Sequence, residues 1–316
     1  MAKLLRAGIR RYLHSIIFWL AFIATAVIAY VCATEARGYA VDDMYAVISF
    51  VINTILIVML VGREYSDGGF RNKVINGHTK GNIFISELIL GVGAVLLFCI
   101  TFFAIFFAIT NYIFTVFPTV LIIKMFFDCV LAQMAFAAIL VTLCCWIPNR
   151  TVVAIINILL VFAMFFGSTV IQAQLSQPEF FEEYDTVTEE KVDENGKIHY
   201  FEQKVEGSER LRDNPAYVGG LRRTVLETID NLSPYGHISD YITFTYSWFN
   251  YEMSSSWEEN GVQYTQTWED IANQIVAEEI SEDDHKDIEN NMLYSAILLL
   301  GVSVIGFIGF RKKELK

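Results

Sequence analysis

The chain has 316 residues, is 54% hydrophobic, has a mean hydropathy of +0.42 and carries a formal net charge of −12. Soluble domains rarely combine this hydropathy with several uninterrupted apolar runs of about 20 residues, the length that crosses a bilayer core of about 30 Å. The runs do not alternate between polar and apolar residues, so they predict membrane-spanning helices rather than a closed barrel. The acidic balance disfavours nucleic acid as a partner, because phosphate binding requires Lys and Arg.

A short basic segment precedes the first apolar run. In residues 1–14, Leu5, Ile9 and Leu13 repeat every four residues, and Lys and Arg side chains take another face. This pattern predicts an amphipathic helix that lies in the membrane interface. A frayed basic tail that only sets the orientation of the chain is the alternative. No small-residue cleavage site closes the following run, so a cleaved signal peptide is not expected.

Six apolar runs are predicted to span the membrane, at residues 15–33, 44–61, 88–109, 120–146, 151–171 and 292–310. An even number of spans places both termini on one side. Lys and Arg concentrate in the N-terminal segment, in the polar stretch between the second and third runs, and at the C-terminus. The positive-inside rule therefore predicts that these three segments are cytoplasmic and that residues 172–290 lie outside the cell membrane.

Charge separates the predicted outer segment from the rest of the chain. Residues 172–290 hold 27 acidic and 8 basic residues, a net charge of −19, whereas the remainder carries +7. Two Asn-Gly pairs, at Asn195 and Asn260, predict β-hairpins. Pro215 is expected to open a helix, and Ser281 to cap a helix that continues into the last run. The segment is therefore predicted to be an α+β domain inserted between the fifth and sixth spans.

Few ionisable or amide side chains fall inside the apolar runs. Lys124 and Asp128 lie one helical turn apart in the fourth run, where a lone Asp costs about 2.5–3.5 kcal/mol on insertion scales. They are expected to pair, either as a neutralised structural pair or as a polar element that lines a substrate path or a dimer seam. Glu87 is expected at the interface, and Gln133 is expected to bond between helices.

The stretch between the second and third runs carries more polar chemistry than a turn requires. Residues 62–80 read GREYSDGGFRNKVINGHTK and are followed by IFISE at 83–87. Gly68 and Gly69 allow a sharp reversal, and a short interfacial helix is the structure expected after it. A solvated loop is the simplest interpretation, but the density of donors favours a docking surface for a cytosolic partner.

This stretch resembles the segment after the second span in permeases of type-2 ABC exporters, where Glu-x-x-x-Gly-x-x-(Arg)-Asn-Lys leads to Gly-(His/Tyr)-(Ser/Thr)-(Arg/Lys). The C-terminal FRKKELK is similar to the end of the same family. Many members have only short outer loops, and the large outer segment departs from that pattern. The resemblance implies a coupling segment, residues 62–81, that contacts a separate ATPase subunit through the matching positions Glu64, Arg71, Asn72, Lys73, Gly77 and His78.

The expected protein is an α-helical integral membrane protein with six transmembrane helices, an amphipathic N-terminal interfacial helix and an inserted extracellular α+β domain. Its parts are residues 1–171, 172–290 and 291–316. The sequence has no phosphate-binding loop, no H-E-x-x-H, no C-x-x-C and no G-x-S-x-G, so neither an enzyme nor a metal site is expected.

The resemblance implies that ATP and Mg²⁺ bind to two copies of a partner ATPase, and that a second permease chain, identical or related, completes the pathway. Phe-rich spans suggest an amphipathic cargo such as an antimicrobial or toxin-like peptide, although the same rings could simply face lipid. The alternative function is a membrane sensor or scaffold whose acidic outer domain binds a ligand and signals to a cytosolic partner without transport.

Overall fold

The computed structural model describes residues 1–35, 43–110, 119–183, 186–192, 198–204, 210–239, 256–259, 262–265 and 282–314. Six helices within these residues are long and apolar enough to cross a bilayer, which confirms the predicted number. The helices, called spans 1 to 6, are Ile16–Glu35, Asp43–Ile57, Lys80–Ile109, Thr119–Trp146, Arg150–Leu175 and Glu282–Lys312.

Span 2 does not stop at Ile57. It continues through a π-helical turn, Val58–Gly62, into a last helical turn, Arg63–Ser66. Such turns widen a helix locally and are frequent next to functional segments. Span 3 begins at Lys80 rather than near residue 88, because the Thr79 side chain caps it by accepting a hydrogen bond from the backbone N–H of Asn82 at 3.3 Å.

Span 4 lies at the centre of the bundle, and its apolar stretch is more deeply buried than that of any other of the six spans. Its small residues allow neighbouring helices to approach closely, as is usual in membranes. Span 6 matches this with glycines: a Cβ at Gly306 would lie 2.6 Å from Thr142 Oγ1 of span 4 and 2.5 Å from the Phe84 ring of span 3. Glycine is therefore required where these three spans meet.

A polar contact ties span 4 to span 2 inside the bundle. Asn53 Nδ2 donates to Gln133 Oε1 at 2.8 Å, and Gln133 Nε2 donates to Ser49 Oγ at 3.2 Å. The expectation that Gln133 bonds between helices is confirmed. Each amide group thereby finds a partner that lipid could not provide.

The N-terminal segment forms the predicted helix, Ala2–Leu13. It buries Leu4, Gly8 and Tyr12 on the bundle, while Ile9 and Leu13 are half exposed, at 50% and 48%. Of the predicted apolar stripe, Leu5 packs against the bundle, whereas Ile9 and Leu13 face outward. The buried residues Leu4, Gly8 and Tyr12 form a second stripe, one position earlier in each repeat, and this stripe packs the helix against the rest of the protein.

Among the described residues, the β-structure consists of three two-stranded antiparallel pairs. Two are the predicted hairpins, β2 with β3 (Thr186–Val192 and Ile198–Lys204) and β5 with β6 (Ser256–Glu259 and Val262–Thr265). The third pairs β1, Phe180–Glu183, with β4, Arg210–Asp213. Sequence patterns did not predict this pair because its strands are not joined by a short turn.

The helix expected to open at Pro215 instead begins at Gly220, which is left-handed with φ +60°, and runs to Asn231. The chain folds as two compact units. One is Thr169–Ile229, and the other consists of Met1–Ser168 together with Asp230–Lys316. Residues 230–239, which the sequence assigned to the outer domain, therefore pack with the spans. The extracellular placement of residues 172–290 stays a prediction. Span 6 does begin at Glu282 as one continuous helix, as expected.

Candidate functional site

The connector, residues 62–81, reverses the chain between spans 2 and 3. Gly68 adopts φ +77°, a conformation that other residues rarely reach, and the connector helix Gly69–Ile75 follows directly. Gly77 adopts φ +82° and ends that helix. The predicted reversal and short helix are confirmed.

A buried network of four charges holds the base of the connector. Glu87, whose side chain is fully buried, accepts from Arg11 Nη2 at 2.8 Å and from Lys73 Nζ at 2.7 Å. Glu64 accepts from the same Lys73 Nζ at 2.7 Å and pairs with Arg11. Two acids and two bases thus join the N-terminal helix, the end of span 2, the connector helix and the start of span 3.

Because the network is largely buried, the loss of any one of its charges is costly. Removing one member of a buried ion set typically costs about 3–5 kcal/mol, because the remaining charge keeps its desolvation penalty without a partner. The environment also acts on Tyr12, next to Arg11: burial, and secondly the negative charge of Glu87, raises the pKa of the Tyr12 hydroxyl far above its usual range. The hydroxyl therefore stays neutral.

Aromatic rings bind the connector helix to spans 2, 3 and 6. Phe70 is fully buried; its ring stacks on Tyr65 at a centroid distance of 5.1 Å and meets Phe310 edge-on at 5.6 Å. Phe310 also lies 6.0 Å from the ring of Phe84. The connector helix is therefore attached to the end of span 6 by apolar packing as well as to span 3 by charge.

Two lysines fasten the C-terminal end of span 6 at the same place. Lys80 Nζ donates to the carbonyl oxygen of Lys313 at 2.5 Å, and Lys313 Nζ donates to the carbonyl oxygen of Trp146 at the end of span 4. The Lys313 ammonium also lies 4.8 Å from the centre of the Tyr65 ring. These contacts satisfy carbonyl groups at helix ends, which lack partners inside the helix.

The outer surface of the connector has a different character. Arg71, Asn72, Asn76 and Gly77 are exposed, and Ile75 among them exposes 71% of its surface. These five residues, called the connector tip, combine one large apolar side chain with hydrogen-bonding groups. An apolar anchor surrounded by polar groups is the usual composition of a small protein contact surface.

The six predicted contact residues therefore fall into two groups. Arg71, Asn72 and Gly77 lie on the connector tip, and His78 is half-buried beside it. Glu64 and Lys73, whose side chains are only 14% and 19% exposed, face inward and belong to the ion network. They are placed to support the tip rather than to contact a partner through their charges.

A second polar cluster lies at the opposite end of the bundle. His237 and Asp128 are buried, with Nδ1 of the ring 3.3 Å from Asp128 Oδ1. Nδ1 is also 3.0 Å from Ser295 Oγ, and Nε2 lies 2.5 Å from the carbonyl oxygen of Asn231. This distal cluster connects spans 4 and 6 through a histidine that belongs to neither.

The histidine is carried by residues 230–239, called the docked segment. Its Asp230 accepts a 2.6 Å hydrogen bond from Ser168 of span 5, and Ser233 Oγ accepts from the N–H of Gly236 at 3.3 Å. A side chain at Gly236 would collide with the Asp230 backbone, since a Cβ there would lie 2.5 Å from its carbonyl oxygen. The segment is therefore folded tightly on itself.

Tyr235 anchors the docked segment in the hydrophobic core. It is 1% exposed, and its ring lies 6.1 Å from Phe50 of span 2 and 5.4 Å from Phe165 of span 5. Aromatic pairs at these distances add stability beyond the area they bury. The docked segment thus contacts spans 2, 4, 5 and 6.

Sequence reasoning placed several of these groups differently. Glu87 is fully buried in the protein and paired with Arg11 and Lys73, a pairing the sequence did not predict; its expected position at the membrane interface stays a prediction. Asp128 was expected to pair with Lys124; the structure places it against His237, and its pairing with Lys124 stays a prediction. No group of three His, Cys, Asp or Glu suited to a metal occurs among the described residues.

Comparisons of this chain with protein-family models, with curated proteins and with solved structures found no match. The likeness to type-2 exporter permeases therefore rests on the connector and C-terminal motifs and on the six-span layout with its N-terminal helix. What the chain does has to be argued from the geometry of its own residues.

Proposed function

We propose that the chain is the permease subunit of an ATP-driven ABC exporter of the type-2 kind, and that the connector tip is its contact with a separate ATPase. The proposal rests on one observation, the difference between the outer and inner sides of the connector. Its outer side presents Ile75 among exposed polar groups, and its inner side is fixed by buried charges and rings.

A force-transmitting segment needs both properties. A contact surface alone would let the connector move without its spans, because exposed loops open at little free-energy cost. Here Lys73 joins the connector helix to the end of span 2 and to span 3, and Phe70 joins it to span 6. Displacement of the tip would therefore displace four elements together, as switching between two global states requires.

Orientation follows from charge. The positive-inside rule places the basic N-terminal helix, the connector and the basic C-terminus in the cytoplasm, where an ATPase would meet them. Residues 172–290 would then lie on the extracellular side of the cell membrane. The clustering of Arg11, Lys73, Lys80 and Lys313 at one end of the bundle agrees with that orientation.

The chain would act in an assembly. Two ATPase subunits would hold ATP and Mg²⁺, and a second permease chain, identical or related, would complete the pathway. This chain would make and break no covalent bond. Its contribution would be binding and motion, so its activity would appear only in the complex.

The cargo we propose is amphipathic, with a cationic antimicrobial or toxin-like peptide as the favoured example. The acidic segment 172–290, with a net charge of −19, suits a cationic ligand. The aromatic faces contribute less: Phe103 packs against Phe126 at 4.9 Å, while Phe162 and Phe166 remain 43% and 60% exposed. Lipid accounts equally well for those two rings.

The test is co-purification of the full-length chain from its native membranes, followed by protein identification and an ATP-hydrolysis assay. The proposal expects a stoichiometric nucleotide-binding ATPase that is lost, with its activity, in Ile75→Asp and Arg71→Asp. The matched control is Leu221→Asp, the same apolar-to-acid change at a position 81% exposed on another helix. It should leave the complex intact.

Three outcomes would contradict the proposal or part of it. Absence of an ATPase from the wild-type complex would overturn it. An ATPase that binds all three variants equally would show that the tip is not the contact. A cytosolic partner that binds through the tip without ATP hydrolysis would favour the sensor or scaffold function instead.

A further inference from the structure

The outer side of the N-terminal helix carries three bases that the protein itself does not neutralise. Lys3, Arg6 and Arg10 are exposed and lie three or four positions apart, so they share one face of the helix and are called the basic stripe. No ion pair of these three residues occurs among the residues that the structure describes. The first acid of the chain is Glu35, so the helix offers no carboxylate of its own.

The basic stripe points away from the protein because the opposite face of the helix is fixed. Gly8 and Tyr12 are buried, and a Cβ at Gly8 would collide with the Leu90 side chain of span 3. Arg11, in contrast to the stripe, turns inward and pairs with both acids of the buried ion network. Those acids are therefore already engaged, and the stripe has to find its counter-charge outside the protein.

The helix lies where the polar start of span 3 gives way to its apolar run. It contacts Glu87 and Leu90 of that span, and the apolar run predicted from the sequence begins at residue 88. Trp19 of span 1 is 47% exposed, and its Nε1 donates to the carbonyl oxygen of Leu13 at 2.8 Å. Trp side chains concentrate at the level of the lipid headgroups. In a bilayer, the basic stripe would therefore lie at headgroup depth.

Apolar side chains border the basic stripe along one edge. Ile9 and Leu13 are about half exposed, and each lies three positions after a base of the stripe, so Ile9 adjoins Arg6 and Leu13 adjoins Arg10. A phospholipid offers groups that match both parts, an anionic phosphate for the bases and acyl chains for the apolar edge. A free anion in water offers only the charge.

We propose that the N-terminal helix is a binding site for anionic phospholipids, in which the basic stripe holds the headgroup phosphates while Ile9 and Leu13 contact the acyl chains. Arg suits this role because its guanidinium donates two parallel hydrogen bonds to one phosphate. The site selects lipids with a net negative charge, because the ammonium group of a zwitterionic lipid repels the same bases. This inference does not depend on the ABC assignment, and its test needs no partner subunit.

Trp19 lies beside the proposed site and can report which lipids occupy it. The full-length chain is reconstituted into vesicles of phosphatidylcholine mixed with phosphatidylglycerol, and one of the two lipids carries brominated acyl chains, which quench Trp fluorescence on contact. Each measurement is repeated in Trp19→Phe to subtract the signal of the other Trp residues. The quenching obtained with each brominated lipid then gives the affinity of the site for phosphatidylglycerol relative to phosphatidylcholine.

The wild-type chain should prefer phosphatidylglycerol by about tenfold or more, because each Lys or Arg near an anionic surface contributes about fivefold. Arg10→Gln should lower the preference about fivefold, and the further change Arg6→Gln should bring it close to one. Arg10→Lys keeps the charge and should keep most of the preference. The matched control is Arg222→Gln, the same change at an exposed position on another helix, which should leave the preference unchanged.

Salt and free phosphate distinguish a lipid from other sources of the same charge. Raising the ionic strength from about 0.01 M to about 1 M shortens the Debye length from about 30 Å to about 3 Å, and should abolish most of the wild-type preference. Inorganic phosphate should lower the preference no more than sodium chloride at equal ionic strength.

The inference is overturned if the two brominated lipids quench Trp19 of the wild type equally, which would leave the basic stripe to a soluble acidic partner. It is also overturned by a preference that persists when Arg6 and Arg10 are both Gln, or at high salt. A preference that inorganic phosphate removes where sodium chloride does not would assign the stripe to a free anion instead. Gln forms helices about as well as Arg, and the salt series needs no variant, so the test does not depend on a destabilised chain.

Discussion

The connector end and the distal end of this bundle both rely on buried ionisable side chains, but they are built differently. At the connector end, Glu87 and Lys73 each contact two partners of opposite charge. At the distal end, the His237 imidazole lies beside the Asp128 carboxylate and the Ser295 hydroxyl. Redundant ion pairs suit a segment that must stay attached to several helices at once, whereas the distal contacts described here are mainly hydrogen bonds and ring packing.

Span 6 runs between these two ends. Ser295 faces the distal cluster, and Phe310 packs on the connector helix. Fifteen residues separate them, about 22 Å at the rise of an α-helix. A rigid helix held at both ends can carry a displacement from one to the other, so variants at each end and between them should reveal how far the two regions differ.

The largest effect is expected at the connector end. Glu87→Gln leaves Arg11 and Lys73 with one carboxylate between them, and should lower the free energy of unfolding by about 3–5 kcal/mol. Thermal unfolding of the purified chain in detergent measures this. The matched control is Asp67→Asn, an acid-to-amide change on the same connector at a side chain 63% exposed, which should stay within about 0.5 kcal/mol of wild type.

A second substitution distinguishes charge balance from lost packing. Adding Lys73→Gln to Glu87→Gln removes one charge of each sign and leaves Arg11 with Glu64. The loss of unfolding free energy in the double variant should be smaller than the sum of the losses in the two single variants, by about 1 kcal/mol or more. Strict additivity would mean that the four charges do not act as a network.

A smaller effect is expected midway along span 6. Gly306→Ala places a methyl group 2.5 Å from the Phe84 ring and 2.6 Å from Thr142 Oγ1, so spans 3, 4 and 6 must separate slightly. Overpacking of this kind costs about 1–3 kcal/mol. Gly301→Ala on the same helix has open space at its Cβ and is the control. Equal stability of the two variants would contradict the close packing of these spans.

Sequence patterns predicted the elements that depend on local periodicity or turn chemistry. The six spans follow from the length of the apolar runs, and the hairpins at Asn195 and Asn260 follow from Asn-Gly turns. The connector helix follows from its paired glycines. The pairing of β1 with β4 was missed, because nothing in either strand specifies a partner so distant in the chain.

Partnerships between charged residues were the hardest part to predict. Arg11 and Glu87 are 76 positions apart, and no periodicity relates them. A signal for His237 did exist: residues 231–239 contain no Asp, Glu, Lys or Arg, although they lie within a strongly acidic region. An uncharged run there, together with a lone Asp in span 4 that needs a partner, points toward burial of the histidine.

The smallest effect is expected between the two ends, at the contact of spans 2 and 4. Asn53→Leu removes the donor to Gln133 Oε1, and interhelical hydrogen bonds in membranes are worth only about 0.6 kcal/mol on average. Unfolding in detergent should therefore change by about that amount, with Thr101→Val, at an exposed hydroxyl that bonds only within its own helix, as the control. A loss of stability as large as that of Glu87→Gln would contradict this ranking. It would mean that the Asn53 amide, which joins spans 2 and 4 beyond the reach of the ion network, contributes as much to the stability of the bundle as the buried charges do.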